Sequence, residues 1–125
     1  MNGRIIMKNI VVDKSFDFAV RIVNLYKYLT NEKKEYVLSK QLLRCGTSIG
    51  ANISESQKAQ SLADFTTKMF VALKESNESE YWIKLLYKTE YIDENQFNSL
   101  NSDVSELINI LTSICKTSQE KLEQK

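Results

Sequence analysis

Nothing in these 125 residues stops a helix: there is no proline, and only three glycines occur in the whole chain. Proline breaks a helix by removing an N–H and crowding the preceding turn, while hairpins depend on residues that tolerate left-handed backbone. A chain almost without either residue has few means of building a sheet, and the expectation is all-α. The length suits one domain over residues 1–125, burying about two-thirds of its unfolded surface in one core. Residues 1–14 form an N-terminal extension in this reading, and 117–125 a frayed tail.

Four helices follow from periodicity and capping. Ser15 is a candidate N-cap for a first helix from Phe16 to Thr30, and Asn31 to Glu35 form a loop. A second helix runs from Leu38, or from Ser39 as its cap, to Gln57. Ser61 followed by Asp64 resembles a capping box for a third helix reaching Glu90. Asp93 followed by Gln96 repeats the signature for a fourth, ending near Lys116. Short connections after the second and third helices predict antiparallel neighbours, hence an up-down-up-down four-helix bundle.

Placing residues at about 100° per step separates the faces of these helices. The fourth carries one apolar stripe: Phe97, Leu100, Val104, Leu107, Ile108, Leu111, Ile114 and Cys115. The third carries two. Leu62, Phe65, Met69, Leu73, Ile83 and Tyr87 are assigned to the core; Val71, Trp82, Leu85 and Leu86 stand nearly opposite, beside Glu75 and Glu78. In the first helix Phe16, Val20 and Val23 oppose Phe18, Ile22, Leu25 and Leu29. Two-sided helices point to a second partner surface, so Val71, Glu75, Glu78, Trp82, Leu85, Leu86, Phe16, Val20 and Val23 are assigned to a homo-oligomer interface. Glu75 and Glu78 would then pair with cations of a neighbouring subunit. The competing reading covers Trp82 with the loop or the N-terminal segment of its own chain. In the second helix, Gly46, Gly50 and Ala51 mark a place where another backbone comes close. Ser76 and Glu80 fall on the assigned core stripe, and no partner for Glu80 is evident.

Catalytic chemistry has little to work with. The chain has no histidine, which removes the commonest general base and metal ligand. Phosphate loops and Cys-x-x-Cys are absent, and two cysteines without histidine do not make an ordinary zinc site. Cys45 and Cys115 fall on apolar faces as small buried thiols. The expectation is a protein that is not an enzyme and needs no metal or cofactor. No apolar run approaches the ~18 residues of a membrane span, and no signal-peptide core is present, which places the chain in the cytoplasm.

Net charge is +1, yet it is graded along the sequence. Residues 1–44 hold nine basic against four acidic groups, net +5; residues 45–90 are −1 and residues 91–125 are −3. Such a gradient serves a phosphate-binding surface, head-to-tail packing of subunits, or ordinary solvated faces. Candidate nucleic-acid contacts are Lys14, Arg21, Lys27, Lys33, Lys34, Lys40 and Arg44, interleaved with Tyr26, Tyr28 and Tyr36. Tyrosines beside cations can stack on single-stranded bases, or cap a core with wet hydroxyls. RNA, or a ribonucleoprotein, is the expected partner besides the chain itself; a protein-interaction scaffold without nucleic acid is the alternative.

Several runs resemble a known family. They are Val12-Asp13-Lys14-Ser15, Phe18-Ala19, Arg44-Cys45-Gly46-Thr47-Ser48-Ile49-Gly50-Ala51-Asn52-Ile53, Ala72-Leu73-Lys74-Glu75-Ser76-Asn77-Glu78 and Tyr81-Trp82-Ile83. In this order they resemble the bacterial four-helix-bundle proteins encoded within intervening sequences of 23S ribosomal RNA genes, over roughly residues 9–115. Relatives typically follow Asn-Ile with Glu-Gly or Glu-Ala, where this chain has Ser54-Glu55-Ser56. The resemblance implies an antiparallel bundle assembled into a barrel-like homopentamer. Accessory proteins of diversity-generating retroelements are similar in fold, and they bind nucleic acid and a reverse transcriptase.

Overall fold

The computed structural model describes the backbone of residues 3–124 and the side chains of residues 10–124. Arg4 and Lys8, which contribute to the basic first third, lie outside the described side chains, as does Lys125. Four helices are present: α1 (Gly3–Asn31), α2 (Leu38–Ser56), α3 (Leu62–Lys88) and α4 (Glu94–Glu123). Each packs against the next, and α4 returns to α1 over a shorter stretch, giving the all-α up-down-up-down bundle with α1 and α3 on opposite corners.

The first helix begins well before Phe16. Val11, Ser15, Phe18, Ile22, Leu25 and Leu29 form one buried stripe at helical spacing, and nothing from Ile10 to Lys14 interrupts it. Ser15 is therefore not an N-cap but an interior residue. Its hydroxyl donates back to the Val12 carbonyl at 3.1 Å, and its small size admits α2. A Cβ on Gly50 would stand 3.2 Å from the Ser15 carbonyl oxygen, and one on Gly46 would stand 2.9 Å from both Ile22 γ-carbons. Both glycines thus lie where α1 crosses α2, Gly50 against backbone as expected and Gly46 against the Ile22 side chain, whereas Ala51 is exposed and faces no such contact.

Two connections end in left-handed backbone without glycine. Glu90 (φ 68°) closes α3, with its N–H donating to Tyr87 and the Tyr91 N–H to Leu86, the Schellman pattern. Lys34 (φ 55°) reverses the chain after α1, so that the Glu35 N–H donates to the Leu29 carbonyl at 2.9 Å. Glu35 is then carried inward to 6% exposure, and its carboxylate accepts from the N–H groups of Val37, Leu38 and Ser39. The cap of α2 is therefore this carboxylate, and Ser39 donates its hydroxyl to the Glu35 carbonyl at 2.9 Å. The other two starts are as the sequence predicts. Ser61 accepts from the Asp64 N–H, and Asp93 and Gln96 make both halves of a capping box.

The fourth helix buries Leu100, Val104, Leu107, Leu111, Ile114 and Cys115, with Phe97 and Ile108 packed alongside. It continues past Lys116 to Glu123, because Ser118 adds a further buried turn and hydrogen-bonds Thr66 of α3. In α3 the core stripe is rotated from the predicted one. Met69, Ala72, Ser76, Ser79, Ile83 and Leu86 are fully buried, while Leu62, Phe65, Leu73 and Tyr87 flank them half-buried. Small residues occupy the centre because α2 approaches closely there: the Ser79 hydroxyl lies 3.3 Å from the Cys45 sulfur. Ser76 and Ser79 satisfy their hydroxyls on the Ala72 and Glu75 carbonyls one turn back, so neither is left unpaired in the core.

Candidate functional site

Three of the seven cationic candidates are held by carboxylates of their own chain. Lys14 meets Glu106 at 2.6 Å, and Arg21 meets Asp103 at 2.5 Å while its second amino group donates to the Ser99 hydroxyl at 2.9 Å. These pairs join α1 to the acidic α4, and hydrogen bonding and charge from Glu106 raise the Lys14 pKa. Arg44 of α2 bridges Glu75, at 3.3 Å, and Glu78 of α3. The charge gradient along the sequence is thus spent in part on seams within the bundle. Exposed pairs of this kind contribute about 0.2–1 kcal/mol each.

Lys27, Lys33, Lys34 and Lys40 make no ion pair among the described residues, and all four are exposed. They share the end of the bundle where α1 finishes and α2 starts. The Lys33 ammonium stands 5.9 Å from the centre of the Tyr28 ring. Tyr36 is exposed, whereas Tyr26 and Tyr28 are half-buried. Beside them α1 and α4 part to leave an open groove of about 360 Å³, lined by Arg21, Asn24, Leu25, Tyr28, Gln96 and Leu100. A second hollow of about 340 Å³ continues past Tyr28 to Lys33, Tyr87 and Tyr91.

The predicted interface residues divide. Phe16, Val20 and Val23 form an exposed stripe on α1, at 67%, 46% and 36% exposure. On α3 the assignment changes. Leu86 is fully buried in its own core, because the stripe of the third helix is rotated toward it. Glu75 and Glu78 serve Arg44 of the same chain, and the Trp82 indole donates to Glu78 at 3.1 Å while its ring packs on the core. Val71 and Leu85 are half-buried on that same side of α3. Glu80 lies 3.9 Å from Lys84, one turn on. The α3 side chains that do face outward are Ala63, Thr67, Phe70, Lys74, Asn77, Tyr81, Lys84 and Lys88. The sequence signal for them was the 7- and 11-residue recurrence of aromatic and basic residues, masked by the larger apolar groups beside them.

Both cysteines are free and buried, and burial pushes each thiol up to about 11. At pH 8 such a thiol is thiolate in about one part in a thousand, so alkylation needs unfolding. Iodoacetamide is expected to leave the native protein unmodified under conditions where the denatured chain takes up two equivalents, read by intact mass. No group of three or more cysteine or acidic residues able to hold a metal is present among the described residues, nor is any described helix long and apolar enough to cross a membrane.

These features define a small antiparallel four-helix bundle with charged seams and an uncovered apolar stripe, without a recognisable catalytic centre among the described residues. The sequence matches the family described as 23S rRNA-intervening sequence protein over residues 7–113, and the chain belongs to that family. It is also similar to a crystallised protein of unknown function from the S23 ribosomal protein family of Bacteroides thetaiotaomicron VPI-5482. The two are 60% identical, with a TM-score of 0.86, over 88% of this chain and 98% of that one. No curated protein matches the sequence. Neither the family nor the structural neighbour is described as an enzyme.

Proposed function

We propose that this protein is a non-enzymatic, self-assembling bundle, pentameric as its family resemblance implies, that holds RNA or a ribonucleoprotein at the α1–α2 end. One observation carries the RNA reading. Of the seven cationic candidates, the four left without a carboxylate, Lys27, Lys33, Lys34 and Lys40, are those that gather at this end, beside Tyr28 and Tyr36. Phosphate contacts release counterions, and a cyclic assembly repeats the same lysines around its axis, multiplying a modest local field.

Fluorescence anisotropy with single-stranded and structured RNA across a salt series tests this. Binding is expected to weaken steadily as salt rises. Lys33→Glu with Lys34→Glu should lower affinity at least ten-fold, whereas Lys14→Ala should leave it unchanged. No binding at low salt, or binding indifferent to salt, would overturn the RNA reading in favour of a protein-interaction scaffold.

A further inference from the structure

The internal ion pairs leave two outer faces of opposite character. On α1, Lys14 and Arg21 are turned to Glu106 and Asp103 of α4. Between residues 13 and 24 the exposed face therefore keeps Asp13, Phe16, Asp17, Val20, Val23 and Asn24, which are three apolar side chains, two carboxylates and an amide, and the exposed Lys27 follows one turn on. On α3 the reverse has happened. Glu75 and Glu78 are engaged by Arg44, and Glu80 is half-buried beside Lys84. What remains outside from Thr67 to Lys88 is Thr67, Phe70, Lys74, Asn77, Tyr81, Lys84 and Lys88, with two aromatics, three ammonium groups and no carboxylate. Phe70 and Tyr81 are 43% and 59% exposed, and their spacing of eleven residues puts them on one line along the helix about 16 Å apart.

From this complementarity we propose that the occupant of the α1 face is the α3 face of a second copy of the chain. The inference rests on the self-assembly reading above and adds which surfaces meet. The Phe16–Val20–Val23 stripe packs against Phe70 and Tyr81, while Asp13 and Asp17 face Lys74, Lys84 or Lys88. Self-pairing of the α3 face is opposed by its own charge, because α3 on α3 sets lysines against lysines. Because α1 and α3 occupy opposite corners of the bundle, each copy offers one face to each of two neighbours. The contact is therefore heterologous, the kind that closes into a ring when the rotation between copies allows.

Charge reversal separates the outcomes. The residues reversed are surface groups on helices, so circular dichroism and thermal melting should match the wild type. Light scattering and sedimentation then report mass. Asp13→Lys with Asp17→Lys is expected to raise the apparent dissociation constant at least ten-fold and drive the protein toward the 14.5 kDa of one chain. Lys74→Glu with Lys84→Glu should do the same. All four reversals in one chain restore the complementarity with inverted sign, and should restore the oligomer. If the wild type is a monomer at tens of micromolar, the self-assembly reading itself fails. If the wild type assembles but either pair of reversals leaves its mass unchanged, or the fourfold variant stays dispersed, the oligomer stands and the α1–α3 contact is overturned.

Discussion

Gly46→Ala is expected to destabilise the bundle by about 2 kcal/mol, the opposite of what a glycine-to-alanine change does in an ordinary helix interior. Alanine would gain about 1 kcal/mol of helix propensity. That gain is outweighed because the added methyl would lie 2.9 Å from both γ-carbons of Ile22. Ile22 is itself 1% exposed, and its γ-carbons sit at the branched root of the side chain, so they cannot swing aside as a flexible tip could. Either α1 moves away from α2 or the core repacks. Urea unfolding followed by circular dichroism measures the loss. Ile22→Ala alone should cost about 2–5 kcal/mol through the cavity it leaves. The double variant should cost less than the sum by about 1 kcal/mol, since each change relieves what the other creates. Additive losses would show that the two residues do not share this contact.

Glu35→Ala is expected to cost about 2 kcal/mol, a large effect for a charged residue in a loop. Its carboxylate accepts from three successive N–H groups at the start of α2, and its burial keeps water from replacing those bonds. Alanine would leave several donors unmet at a partly buried helix terminus, where the helix dipole also favours negative charge. Glu35→Gln retains the shape and an acceptor oxygen but not the charge, so it should lose about half as much. Hydrogen exchange at Leu38 and Ser39 should accelerate in step with the stability loss. Equal, small effects for both substitutions would place the capping energy elsewhere.

How far the sequence made these features legible depended on the range over which each is set. The Asp93–Gln96 capping box and the apolar stripe of α4 are local, and both are found where their spacing puts them. Ser15 carries the pattern of a cap, a serine before an apolar run; only the approach of Gly50 shows that its size, not its hydroxyl, is what α1 needs there. The α3 stripe was rotated for a related reason. A reading weighted by apolar bulk centres on Leu73 and Tyr87, whereas tight packing against α2 selects Ala72, Ser76 and Ser79. Glu35 offered no signal as a cap, since it precedes its helix by three residues and depends on the left-handed turn at Lys34. The lysines and arginines were visible as a group. Which of them meet carboxylates could not be read, because their partners stand 31 to 92 residues away on other helices.

The seam between α1 and α4 has a consequence for how the bundle breathes. It is the shortest of the four helix–helix contacts, it is opened by the groove at Leu25 and Leu100, and its rim is held by Lys14–Glu106 and Arg21–Asp103. The α2–α3 edge also carries ion pairs, from Arg44 to Glu75 and Glu78 and from Lys68 to Glu55, but it is packed along far more of its length by buried side chains. Added salt screens the ion pairs of both edges, and it matters most at the α1–α4 edge, where the least buried packing stands behind them. Rising ionic strength is therefore expected to loosen the first helix from the last before it loosens the α2–α3 hairpin, which its buried side chains hold.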